Sequence, residues 1–203
     1  LSLTVHEYAH ARAAFALGDD TASSMGRMTL NPLPHLDLFG TIILPILAVV
    51  SGGPFFGWAR PVPIDPTRLS RRFTMRTGVL ITAAAGPISN VLFALATGLA
   101  FNLALRMGWM SPMLMQLLLT TLLINLVLAI FNLIPVPPLD GSRVLMGLLP
   151  ARAAERYGYL ERNPIFVILA FAILFTQAGR FMQGPIHTLL KGVLWVTGNG
   201  DYL

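Results

Sequence analysis

Apolar residues in this chain come in long blocks, and polar residues gather in the gaps between them. Residues 78–105 are apolar over 28 positions, interrupted only by "GPISN" (Gly86 to Asn90), and residues 113–134 form a second block. A helix needs about 20 such residues to cross the hydrocarbon core of a bilayer, so each block predicts a transmembrane helix. Gly86 and Pro87 predict a break in the first. Residues 164–178 predict a third, shorter span. Residues 180–196 predict either a last span broken by Gly184 and Pro185 or an interfacial helix. At the other end, Leu1 to Leu17 predict a helix stopped by Gly18, Asp19 and Asp20. It is short for a span and carries ionisable groups, so it reads as the later part of a longer helix and not as a signal peptide.

Two segments read differently. "TASSMGRMTLNPLPHLD" (Thr21 to Asp37) is polar and punctuated by proline, and predicts a short strand or two followed by turns. Residues 38–53 are apolar, but they run for only about 15 positions with Pro45 in the middle, which is short for a crossing. A re-entrant excursion or a β-hairpin is expected there. The fold class is therefore an all-α polytopic membrane protein, a bundle of about four to six transmembrane helices with a small re-entrant or β-hairpin insertion, formed as one domain over residues 1–203.

Composition supports this reading. Of the 203 residues, 55% are hydrophobic and only 11% charged, whereas soluble domains carry about 25% charged residues. The formal charge of +5 raises nucleic acid as a partner. The arginines instead fall between apolar blocks, five of them from Arg60 to Arg76 with Asp65 the single acid, which is the pattern of cytoplasmic membrane flanks. No nucleic-acid partner is expected. The chain has no cysteine, which excludes disulfides and thiolate metal sites.

Against this apolar background "HEYAH" stands out. On a helix, residues i and i+4 share a face, so His6 and His10 can offer two imidazole nitrogens to one zinc ion, while Glu7 reaches a water activated by it. Histidines merely hydrogen-bonded in a polar cavity are the alternative. Ionisable residues inside a membrane are functional by default, which favours the metal. A catalytic zinc needs a third protein ligand. Asp140 fits best, because it follows a predicted span in "FNLIPVPPLDGSR", where three prolines end the helix and Gly141 permits a tight backbone. His35 is the rival ligand, with a loop or interface role as its simpler reading, and His187 reads as interfacial. Asn90, Asn125 and Asn132 face apolar surroundings. Interhelical hydrogen bonding is one role for them; donation to a reaction oxyanion is the other, and Asn90 and Asn132 are the candidates for it. Asn125 and Asn132, seven apart, share one helix stripe.

These motifs resemble the site-2 protease family of intramembrane zinc metalloproteases, in its small prokaryotic form, over nearly the whole chain. "HEYAH" is similar to the family's first metal motif. "NLIPVPPLDG" (Asn132 to Gly141) is similar to its second, N-x-x-P-x-x-x-L-D-G, at every fixed position, and "AGPISN" resembles its central-helix motif. "GDDTASSMGRMTLNPLPHLDLFGTIILP" and "GWARPVPI" look like the subgroup without large accessory domains. The resemblance implies His6, His10 and Asp140 as ligands of one catalytic Zn2+ and Glu7 as the acid/base. It also implies a zinc endopeptidase that cleaves transmembrane protein substrates within the lipid bilayer, in a multi-pass protein of the cell membrane with its site near the cytoplasmic side. An edge strand within Leu38 to Pro63 could then pair with the unwound substrate. A membrane metal carrier, or a proteolytically silent metal-binding scaffold, is the competing class. A carrier would need several ligand clusters along a path, and the sequence offers one.

Overall fold

The computed structural model describes residues 1–51, 57–69 and 72–200, and within them every regular element is helical. In chain order these are α1 (Ser2–Ala16), α2 (Thr21–Ser24), α3 (Leu44–Ser51), α4 (Met75–Arg106), α5 (Pro112–Leu133), α6 (Asp140–Leu148), α7 (Ala151–Glu161) and α8 (Pro164–Val196). Short 3-10 turns occupy Leu33–His35 and Pro66–Arg68, and a π-helical stretch, Leu38–Ile43, leads into α3. The chain forms two compact units, residues 1 and 3–86, and residues 2 and 87 onward, with the boundary falling inside α4.

In the first unit α1 ends at the predicted glycine. Gly18 takes a left-handed φ of +102°, its N–H donates to Phe15 O at 3.0 Å, and the Asp19 N–H reaches Ala14 O at 2.9 Å. These are the two closing bonds of a Schellman cap. The core of this unit is Ala11, Ala22 and Val62, with Met28 and Ile64 packed against them. Small residues on α1 thus let the extended segment around Val62 lie close to the helix.

The strands expected between Thr21 and Asp37 do not form. Local side-chain bonds take over the backbone: the Asp19 carboxylate accepts the Thr21 N–H at 3.0 Å, Thr29 Oγ1 accepts the Asn31 N–H at 3.1 Å, and Asn31 Oδ1 accepts the Leu33 N–H at 3.1 Å. Bonds of this kind compete with sheet ladders and favour turns. Of the two forms expected over residues 38–53, a re-entrant excursion or a β-hairpin, the hairpin does not form in the described part, which is helical through Ser51; residues 52 and 53 lie outside the described residues. Asp37 caps the start, its Oδ1 accepting the N–H groups of Phe39 and Gly40. Pro45 is the second residue of α3, just after the wider π turn. The helical stretch 38–51 is about 21 Å long at 1.5 Å per residue, short of a crossing. With no strand in it, the expected edge strand for a substrate is also absent among the described residues.

The second unit is built on α5, which packs against α6 and α8, with α7 bridging those two. Its core is Ala94, Leu122, Leu126, Val193 and Leu194. The predicted spans 78–105 and 113–134 correspond to α4 and α5, the two described helices long and apolar enough to cross a membrane. A third is obtained if α7 and residues 164–174, bent 88° apart, are one broken span. That is fewer than the expected four to six. On α4 the division of faces is clear: Asn90, Ala94, Thr97 and Phe101 are buried, whereas Ile88, Leu92, Leu99 and Leu103 are more than half exposed. An apolar stripe left outside the protein suits lipid.

Two predicted breaks do not occur. Helix α4 runs through Pro87 and α8 through Pro185, so the tail after Arg180 is continuous with the helix from Pro164. In apolar surroundings a proline removes one bond, and neighbouring groups can satisfy the freed carbonyl.

Candidate metal centre

One turn of α1 brings His6 and His10 edge to face, with ring centroids 4.6 Å apart and planes at 85°. Their Nε2 atoms are 3.0 Å apart, and both residues are buried. The His10 Nδ1 lies 2.8 Å from Thr82 O on α4. A carbonyl can only accept, so Nδ1 carries the hydrogen and Nε2 carries the lone pair. This is the usual way in which a partner behind a metal-binding histidine fixes its tautomer. Two imidazole nitrogens on one tetrahedral zinc, with Zn–N near 2.0–2.1 Å, are about 3.3 Å apart. The pair therefore suits a single zinc ion with only a small opening. Space for the rings comes from Gly86, where a Cβ would lie 2.4 Å from His10 Nε2 and 2.6 Å from His6 Cε1.

Glu7 lies on the same turn and is 9% exposed. Its Oε2 accepts the Val62 N–H at 2.9 Å, which fixes the carboxylate through one oxygen. Arg27 lies behind this segment. Its Nη2 donates to Arg60 O at 2.8 Å and to Pro61 O at 3.3 Å. Burial holds the Arg27 pKa below the usual guanidinium range and the Arg60 charge adds to this, while the Glu7 carboxylate opposes both. The guanidinium stays protonated regardless. His35 is buried and donates from Nε2 to Thr29 O at 2.9 Å, a bond that ties up its loop.

In the second unit Asp140 is the first residue of α6, where the helix dipole favours a carboxylate. Gly141 is required beside it, because a Cβ would meet Leu133 O at 2.2 Å. The asparagines separate into two environments. Asn90, fully buried, donates to Asn125 Oδ1 at 2.9 Å, with a longer contact to Ser2 O at 3.4 Å. Asn125 in turn donates to Ser2 Oγ at 3.0 Å and Thr121 O at 2.8 Å. The structure thus pairs Asn125 with Asn90 and not with its stripe-mate Asn132. Asn132 returns one amide hydrogen to Leu128 O, at 3.0 Å on its own helix. His187 is exposed on α8.

The family profile "Peptidase family M50" matches residues 105–176. Three relatives bear names beginning "Putative zinc metalloprotease". YwhC of Bacillus subtilis (strain 168) is 42% identical over 182 residues, which cover 82% of this chain and 77% of that protein. The chain belongs to peptidase family M50. Rip2 of Mycolicibacterium smegmatis (strain ATCC 700084 / mc(2)155) is 30% identical over 71% of this M50 chain and 53% of its own length. Rip2 of Mycobacterium tuberculosis (strain ATCC 25618 / H37Rv) is 28% identical over 95% of the chain and 72% of its own. No solved structure matches the chain. Membership bears out the family expected from the motifs.

Sequence reasoning did not single out Val62, Thr82, Arg27 or Gly86 as partners of the histidine–glutamate turn. Val62 and Thr82 act through backbone atoms, which leave no mark in residue type. Gly86 was expected to break its helix, and it instead leaves room for two imidazole rings.

Proposed function

We propose that this M50 chain is a zinc-dependent intramembrane endopeptidase that hydrolyses peptide bonds in or near transmembrane segments of membrane proteins. The observation that carries it is the buried turn of α1, where two imidazole nitrogens face each other 3.0 Å apart beside a carboxylate held by one oxygen. Family membership and the relatives' names support the same reading. Asp140 is proposed as the third ligand of a single zinc ion, on the strength of its motif and its charge. Bound there, zinc would polarise the scissile carbonyl and the attacking water.

The chain's own residues supply the rest. Glu7 Oε1 takes a proton from the attacking water as its oxygen bonds to the carbonyl carbon, and delivers that proton to the amine as the C–N bond breaks. The Val62 N–H holds the other oxygen throughout. Asn132 has a second amide hydrogen for the oxyanion. Asn90, the other candidate, would have to loosen its bond to Asn125 to do the same. Partners are a transmembrane protein substrate and the lipid bilayer. The protein is read as multi-pass in the cell membrane, with α4 and α5 as crossings. Arginines after α3 and in α7 favour the cytoplasmic side for both segments, and the site is proposed to lie near that face.

Chelation and metal restoration in lipid vesicles test the reading. A co-reconstituted transmembrane substrate should be cleaved, cleavage should stop on zinc chelation, and it should return when zinc is added. Zinc uptake into vesicles without cleavage of any transmembrane substrate would support a carrier instead.

A further inference from the structure

The stretch "PVPIDP" (Pro61 to Pro66) alternates proline with other residues, so only Val62, Ile64 and Asp65 have an amide hydrogen. Two of these three go to carboxylates, one within α1 and one just past its C-terminal end. The Val62 N–H goes to Glu7, and the Asp65 N–H goes to Asp19 Oδ2 at 2.7 Å. Just upstream, the residue 60 backbone is gripped from both sides. The Arg60 N–H donates to His35 O at 2.8 Å, and Arg60 O accepts from Arg27 at 2.8 Å. Arg27 is only 7% exposed. A buried charge needs partners, and the Nη2 of this one donates to two consecutive carbonyls, those of Arg60 and Pro61. Those carbonyls immediately precede the one amide that holds Glu7.

We propose that Arg27 is a positioning residue for Glu7. Its guanidinium fixes the carbonyls of residues 60 and 61, so that the Val62 N–H stays aimed at Oε2 and Oε1 stays aimed for proton transfer. Prolines at 61 and 63 make the arrangement selective, since no neighbouring amide can replace Val62. The inference rests on Glu7 being the proton-transfer group, and it has a consequence independent of catalysis: Arg27 protects the Val62 amide from exchange.

The test compares amide hydrogen exchange of residues 61–66, cleavage kinetics and zinc content for the full chain in nanodiscs. With Arg27→Ala, Val62 exchange should rise about tenfold or more. The kcat should fall by about ten- to a hundredfold, as expected for a misplaced catalytic group, with KM and zinc per chain unchanged. Arg27→Lys, which can still donate to one carbonyl, should recover most of both. If Arg27→Ala does not fold, Arg27→Gln against Arg27→Lys makes the same comparison. Unchanged Val62 exchange would overturn the proposal, as would a loss confined to KM or to zinc content. Should Glu7→Gln cleave like the wild type, the proteolytic reading fails, while the exchange comparison still tests whether Arg27 holds Val62 against Glu7.

Discussion

Glu7→Gln should lower cleavage of a transmembrane substrate by roughly a hundredfold to ten-thousandfold, the usual contribution of a general base, while zinc per chain stays at the wild-type value. Glutamine is nearly isosteric with glutamate, and its amide oxygen can still accept the Val62 N–H that Glu7 Oε2 accepts at 2.9 Å. The turn of α1 therefore keeps its shape, and His6 and His10 keep their approach. What is lost is the ability to take up and return a proton. Turnover under saturating substrate, read beside zinc content, separates the two roles. A drop in zinc would make Glu7 a structural member of the site, and undiminished turnover would remove it from the chemistry.

Gly86→Ala should weaken zinc binding by about ten- to a hundredfold, the range typical of damage to groups that orient metal ligands. The added methyl would sit 2.4 Å from His10 Nε2 and 2.6 Å from His6 Cε1. His10 cannot swing aside freely, because its Nδ1–H is bonded to Thr82 O on the same helix as Gly86. Alanine is the better helix former by about 1 kcal/mol, so α4 itself should not suffer. The expected signature is a protein that competes poorly with a chelator for zinc, beyond what the overlap with the imidazoles costs the metal-free fold. Unaltered affinity would show that the histidines do not need the space Gly86 provides.

Some parts of this molecule were open to reading from sequence and others were not, for physical reasons. Helices α4 and α5 were legible because more than 20 consecutive apolar residues leave a chain few alternatives. The histidine pair was legible because a spacing of four dictates a shared helix face. Residues 38–51 were not, since a short apolar run with an internal proline fits a hairpin and a helix equally well. The Asp37 cap and the place of Pro45 at the start of α3 decide between them. Arg27 looked like one more loop cation; only its burial and its grip on two carbonyls give it a role. The bond between Asn90 and Asn125 joins residues 35 positions apart, and no periodicity within one helix reveals it. The contributions of Val62 and Thr82 come from peptide groups common to all residues.

Asp140 is the proposed ligand on which the reading of a metal centre depends most, since two histidines alone would leave a catalytic zinc one protein ligand short. Asp140→Asn removes the ligand charge at nearly constant volume, at the first residue of α6. Zinc per chain, measured on protein purified from membranes without chelator, tests the claim. The wild type should hold close to one ion per chain and Asp140→Asn well under half. An Asp140→Asn protein that retains a full equivalent of zinc would contradict the account.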